Sequence, residues 1–155
     1  MTENTNSKFP SEADVVIVGV GGIVGSMIAY WLSELGQKNI VGLEKSSVIP
    51  SDIASTAHAS DFVYNTTHDK LGCWTTAYSR KFYEDNGFFL KKGGLEICRK
   101  GDDARWEELK RKVGSGKAFG TNVRLISASE AKEKFPLLDE ESLMGAMWDP
   151  DAGLV

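Results

Sequence analysis

The chain has 155 residues, 41% hydrophobic and 26% charged, the composition of a folded globular domain rather than a disordered or fibrous segment. Eighteen basic residues against 22 acidic ones give a net charge of −4 with no basic block, which argues against a nucleic-acid partner. No apolar run reaches the length that spans a bilayer, so a cytoplasmic protein without a membrane partner is expected.

The first dozen residues, MTENTNSKFPSE, are polar and have no signal-peptide core; residues 1–12 read as a flexible lead-in. Asp14-Val-Val-Ile-Val18 is a β-branched run that predicts a strand buried on both faces. A glycine turn follows, then a helix from Ile23 to Leu35 with Ile28, Trp31, Leu32 and Leu35 at helical spacing. Gly36 stands where a helix C-cap glycine belongs. Ile40–Leu43 is the next strand, and Ser46–Ser60 is a loop long enough to suggest function.

Leu71, Trp74, Tyr78 and Phe82 mark an amphipathic helix whose aromatic stripe is expected in the core. Leu95–Arg99 reads as a strand, and Trp106, Leu109 and Val113 as a helix. On that helix Lys110-Arg111-Lys112 is expected to be a solvated face, and Arg80 and Arg105 to be surface residues. Val123–Ile126 is a further strand. Ser127 with Glu130 is a capping box opening a short helix that Pro136 stops, and Leu143–Trp148 is taken as the last strand. Cys73 and Cys98 lack metal-ligand spacing and read as reduced, buried thiols, with no metal site. The sequence ends at Gly153-Leu-Val155 with no covering helix, which reads as a domain cut short.

Gly19-Val20-Gly21-Gly22-Ile23-Val24-Gly25 carries the chemistry. A phosphate-binding turn uses glycines to turn sharply, to admit the pyrophosphate and to pack helix on strand. The helix N-terminus then offers free N–H groups and partial positive charge. The spacing has one residue too many for G-x-G-x-x-G. Context supports it: a strand before, a helix after, and Glu44 at the end of the second strand, 19 residues past Gly25, where an acid would accept from an adenosine ribose. Such an acid disfavours a 2′-phosphate, hence NADP. A dozen residues on, Ser55-Thr56-Ala57-His58 puts small and hydroxyl side chains beside a histidine able to act as base, nucleophile or attachment point.

The order of glycine turn, Glu44-Lys45, Ser55-Thr56-Ala57-His58-Ala59 and Gly93-Gly94-Leu95-Glu96 resembles the amino-acid-oxidase-like flavoproteins, especially the dimethylglycine and sarcosine dehydrogenase/oxidase branch. The resemblance runs from Asp14 to Leu154. It implies an α/β fold: an FAD-type, three-layer Rossmann portion over residues 13–92, and the incomplete start of an interleaved mixed-sheet substrate domain over 93–155. It implies FAD, with Ile23 and Val24 amides at the pyrophosphate alongside Gly19, Gly21, Gly22 and Gly25. Glu44 and Lys45 would lie at the adenosine, and Ser55, Thr56, Ala57 and Phe62 along the path to the flavin. His58 would be a covalent link through the flavin 8α-methyl. The complete enzyme would take a hydride from the carbon beside an amine nitrogen of a small glycine-type substrate; the catalytic residues stay unknown. Three departures stand out: the extra turn residue, Ser60-Asp61 where the family has Pro or Ala and then Gly, and above all a length well short of the several hundred residues of the family's proteins. The alternatives are a nicotinamide dehydrogenase, or a non-catalytic remnant or subunit that binds nucleotide or a partner chain.

Overall fold

The computed structural model describes residues 10–155, which form two compact units dividing between Ser60 and Asp61. Residues 1–9 of the lead-in lie outside the described residues.

The first unit is built from β1 (Val15–Val18), α1 (Ile23–Glu34) and β2 (Ile40–Leu43). The strands pair in parallel, Val15 opposite Ile40 through Val18 opposite Leu43. Parallel neighbours need a crossover, and α1 supplies it. The helix stops where Gly36 takes φ +92° and the Gly36 and Gln37 amides donate to Ser33 and Leu32, a Schellman closure. β1 is not buried on both faces as its composition predicts. Ile17 is buried, whereas Val16 and Val18, on the opposite face, are 53% and 82% exposed. Among the described residues no helix or strand covers that face; only Pro10–Ala13 border it.

The second unit contains β3 (Phe62–Val63), α2 (Lys70–Asp85), β4 (Leu90–Lys91), β5 (Gly94–Arg99), α3 (Asp103–Ala118), β6 (Arg124–Ile126), α4 (Ala128–Lys134), β7 (Leu143–Asp149) and β8 (Gly153–Leu154). Its two sheets, β5-β7-β6 and β3-β8-β4, are antiparallel, so the chain as a whole is mixed α/β. The sequence-drawn boundary at residue 92 differs from the contact boundary, because β3 and β4 both pair with β8. β7, taken as the last strand, is followed by β8.

α3 packs on the β5-β7-β6 sheet, burying Leu109, Val113 and Val123 against Cys98 and Met147. α4 closes a second cluster of Ile126, Ala131 and Ala146. Its start is the predicted capping box: the Ser127 hydroxyl accepts from the Glu130 amide and the Glu130 carboxylate from the Ser127 amide. Cys73 and Cys98 are free and buried.

Three side-chain expectations are corrected. The aromatic stripe of α2 is not core: Trp74 and Tyr78 stack at 5.7 Å but are 61% and 55% exposed, and Cys73 is the buried residue of that helix. Lys112 is buried, paired with Glu96 and lying 5.2 Å from the Tyr64 ring, because successive helical residues rotate away from one another and Lys112 lands on the sheet side. Arg80 and Arg105 are only partly exposed and committed to acids. Arg80 faces Glu84 and Asp151 at 3.5 and 3.9 Å; Arg105 bonds Glu96 and Glu108 at 2.8 and 2.7 Å.

Candidate cofactor site

Twelve of the thirteen residues singled out in the sequence lie in the first unit; Phe62 lies in the second, against Tyr64 and Gly94. The extra residue of the glycine turn is absorbed where β1 ends. The Gly19 and Val20 amides both donate to the Leu43 carbonyl, at 2.7 and 3.2 Å, with Gly19 at φ +87°.

The remaining glycines differ in what demands them. A Cβ on Gly25 would stand 2.2 Å from the Gly19 carbonyl oxygen, so Gly25 is the helix-on-strand glycine although it arrives one residue late. A Cβ on Gly21 would stand 2.7 Å from both Glu44 Oε2 and Ser51 Cβ. Gly22 is different. Its backbone is extended (φ −98°, ψ 165°) and a Cβ would meet nothing closer than Ala54 Cβ at 3.5 Å. Nothing within the unit requires its missing side chain, and it stands at the N-cap of α1.

Glu44 ties this turn to the second strand. Its Oε2 accepts from the Gly21 amide and its Oε1 from the Ser46 amide, each at 2.9 Å. The Ser46 amide, then the Gly21 amide, hold its carboxyl below the usual carboxylate range. The buried Ser51 hydroxyl acts in the same direction without a hydrogen bond of standard geometry. Each oxygen keeps a second lone pair for an outside donor. Lys45, next along, is exposed.

At the helix end, the Ile23 amide donates to Thr56 Oγ1 at 3.0 Å. The amides of Gly22, Val24 and Gly25 find no acceptor among the described residues. Orphan donors are inherent to a helix start and carry the positive end of the helix dipole. Residues Ser55–His58 form a single 3-10 turn, with Ser55, Thr56, Ala57 and His58 all exposed. The arrangement offers unpaired amides at the start of α1 and carboxylate lone pairs at Glu44. Among the described residues no acidic, histidine or cysteine cluster forms a metal site.

A family model described as FAD dependent oxidoreductase matches residues 14–155. The chain belongs to that family. FAD is the family's cofactor, which decides between the flavin and nicotinamide readings. Human mitochondrial sarcosine dehydrogenase is 27% identical over 161 residues, covering 99% of this chain and 17% of that protein. The mouse mitochondrial pyruvate dehydrogenase phosphatase regulatory subunit is 31% identical over 154 residues, covering 95% and 17%. The crystal structure of L-proline dehydrogenase from P. horikoshii superposes with a TM-score of 0.82 at 30% identity, over 95% of this chain and 39% of that one. The chain thus spans about a sixth of the length of the curated relatives it matches.

The departure at Ser60-Asp61 also has a structural reading. Asp61 takes φ +56°, a left-handed conformation that glycine adopts without cost, and its carbonyl accepts from the Val155 amide at 2.9 Å. Aspartate is among the few other residues that tolerate it. Sequence reasoning singled out neither Asp61 as a strained position nor Ser51 beside Glu44. The missing family glycine was the available signal for the first; the second has none.

Proposed function

We propose that the complete protein oxidises a small amine of the glycine type, secondary or tertiary at nitrogen, with FAD held at residues 19–25, 44–45 and 55–58. The observation that carries the cofactor half is Gly22: a glycine with no internal need, whose amide, with those of Val24 and Gly25, has no acceptor among the described residues. The substrate half is supported by the relatives' names, since sarcosine and L-proline are both secondary amines with a carboxylate on the neighbouring carbon.

The Gly22, Val24 and Gly25 amides would receive the pyrophosphate; the Ile23 amide, assigned there by resemblance, is already bonded to Thr56. Glu44, ionised and braced by two amides, would accept from the adenosine ribose, with Lys45 beside it. His58, exposed at the end of its turn, is the proposed point of covalent attachment. Residues 13–92 are assigned to FAD binding and 93–155 to the start of the substrate domain. FAD supplies the two-electron acceptor, and the protein supplies binding and orientation. No substrate base or carboxylate-binding arginine is assigned, since Arg80 and Arg105 are held by acids.

A second reading, a flavin-binding regulatory subunit acting on a partner chain, is favoured by the similarity to the phosphatase regulatory subunit. The test is anaerobic mixing of the purified complete protein with sarcosine and other N-methylated glycines, following the flavin spectrum. Bleaching by one of them establishes the oxidoreductase. A flavin that no such amine reduces favours the regulatory reading, and a protein that binds no FAD overturns both. Among the described residues no helix is long and apolar enough to cross a membrane. The proposed cytoplasmic location competes with the mitochondrial one in the relatives' names, and fractionation of cells expressing the complete protein decides.

A further inference from the structure

The 46–60 loop is fastened to the glycine turn at separate points. Near its start, Glu44 takes the Gly21 and Ser46 amides, and the Ser51 amide donates to the Gly21 carbonyl at 2.9 Å. Further along, Thr56 Oγ1 accepts from the Ile23 amide at 3.0 Å. That last bond is the one that reaches the Ser55–His58 turn. The turn is otherwise slight: four exposed residues, no side-chain cap, closed by the Ala57 amide to Ala54 and the Ala59 amide to Thr56. Isolated 3-10 turns have poor hydrogen-bond geometry and little intrinsic persistence.

The geometry points to Thr56 as the residue that positions the His58 turn on the N-terminal end of α1. Ile23 is the first residue of the helix, so its amide has no partner inside α1 and can be given to a side chain from outside. Thr56 meets that need from 33 positions away. It does for α1 what an N-cap side chain does locally, which Gly22 cannot do. One hydrogen bond then couples two parts of the site, the helix end and the histidine turn. It also withdraws the Ile23 amide from the donors open to an anion. On the FAD reading proposed above, Thr56 sets the spacing between the phosphate-binding end and His58. The methyl group of Thr56 is not required; the hydroxyl oxygen is.

The test compares wild type, Thr56→Val and Thr56→Ser in the complete protein. Amide exchange of Ile23 is read first, without FAD, with the Gly21 amide as an internal control for folding. Loss of one neutral hydrogen bond corresponds to about fivefold in an equilibrium constant. The expected result is Ile23 exchange about fivefold faster in Thr56→Val, wild-type exchange in Thr56→Ser, and Gly21 unchanged in both. FAD is then added. Thr56→Val is expected to lose acid-stable flavin, while Thr56→Ser retains the wild-type amount. Equal Ile23 exchange in wild type and Thr56→Val, or Thr56→Ser behaving like Thr56→Val, overturns the inference. So does wild-type flavin attachment in Thr56→Val. Thr56-dependent protection of Ile23 in a protein that never binds FAD leaves the positioning role standing and removes the FAD reading alone.

Discussion

The two units are held together by opposite means. Among the described residues up to Ser60, Ile17 is the one buried hydrophobic side chain, and order comes from backbone amides placed on Leu43, Glu44, Gly21 and Thr56. From Asp61 onward the structure rests on side-chain burial, with Leu109, Val123 and Met147 fully enclosed beside Cys98. On the proposed cofactor reading, a turn that brings backbone up to a phosphate leaves that space free of side chains. The first unit should therefore fail when atoms are added, and the second when atoms are removed.

Gly25→Ala is the severest break expected. The new methyl has to displace a backbone carbonyl it would approach to 2.2 Å, and overpacking against main chain should cost about 3 kcal/mol in a thermal or urea melt. Leu109→Ala should cost a similar amount, about 3 kcal/mol, by opening a cavity under α3. A loss below about 1 kcal/mol for either would dissolve the contrast between the units. Asp61→Gly should act the other way. Relieving a left-handed φ of +56° at a non-glycine residue should raise stability by roughly 0.5–1 kcal/mol net of the added chain entropy. Destabilisation would mean that the aspartate side chain does more than fill a glycine position.

The smallest expected effect is a pH dependence at Glu44. Its folded carboxyl is held below the usual value of 4.5 by the Ser46 and Gly21 amides. The stabilisation is therefore present above that value and is lost as pH falls through the lower, folded one. Protection of the Gly21 amide, taken relative to its intrinsic exchange rate at each pH, should fall on acidification below 4.5 in wild type and stay level in Glu44→Gln. Identical pH profiles in the two would remove the bracing role of the carboxylate.

What could be read in the sequence was what is local. The strand–turn–helix–strand order, the Gly36 closure, the Ser127–Glu130 box and the acid at Glu44 each rest on neighbours a few residues apart or on a fixed offset. Facing was harder. Spacing says that Trp74 and Tyr78 share a side of α2, and not that anything covers that side. Lys110, Arg111 and Lys112 are contiguous in sequence, but the helix turns only Lys112 toward Glu96. β8 is two residues long and exists because β3 and β4 flank it, a long-range pairing that no short window contains. At the site, the glycine count could not separate Gly21 and Gly25, demanded by the fold, from Gly22, which is not. Nor could it find Thr56 on the Ile23 amide.

That distinction among glycines gives the most direct test that the turn is a cofactor site. FAD affinity and melting temperature would be measured for the complete protein and its Gly22→Ala variant. The expected result is a melt lowered only by the poorer helix cap, about 1 kcal/mol at most, together with FAD binding weakened at least tenfold. Undiminished FAD affinity in Gly22→Ala would contradict it.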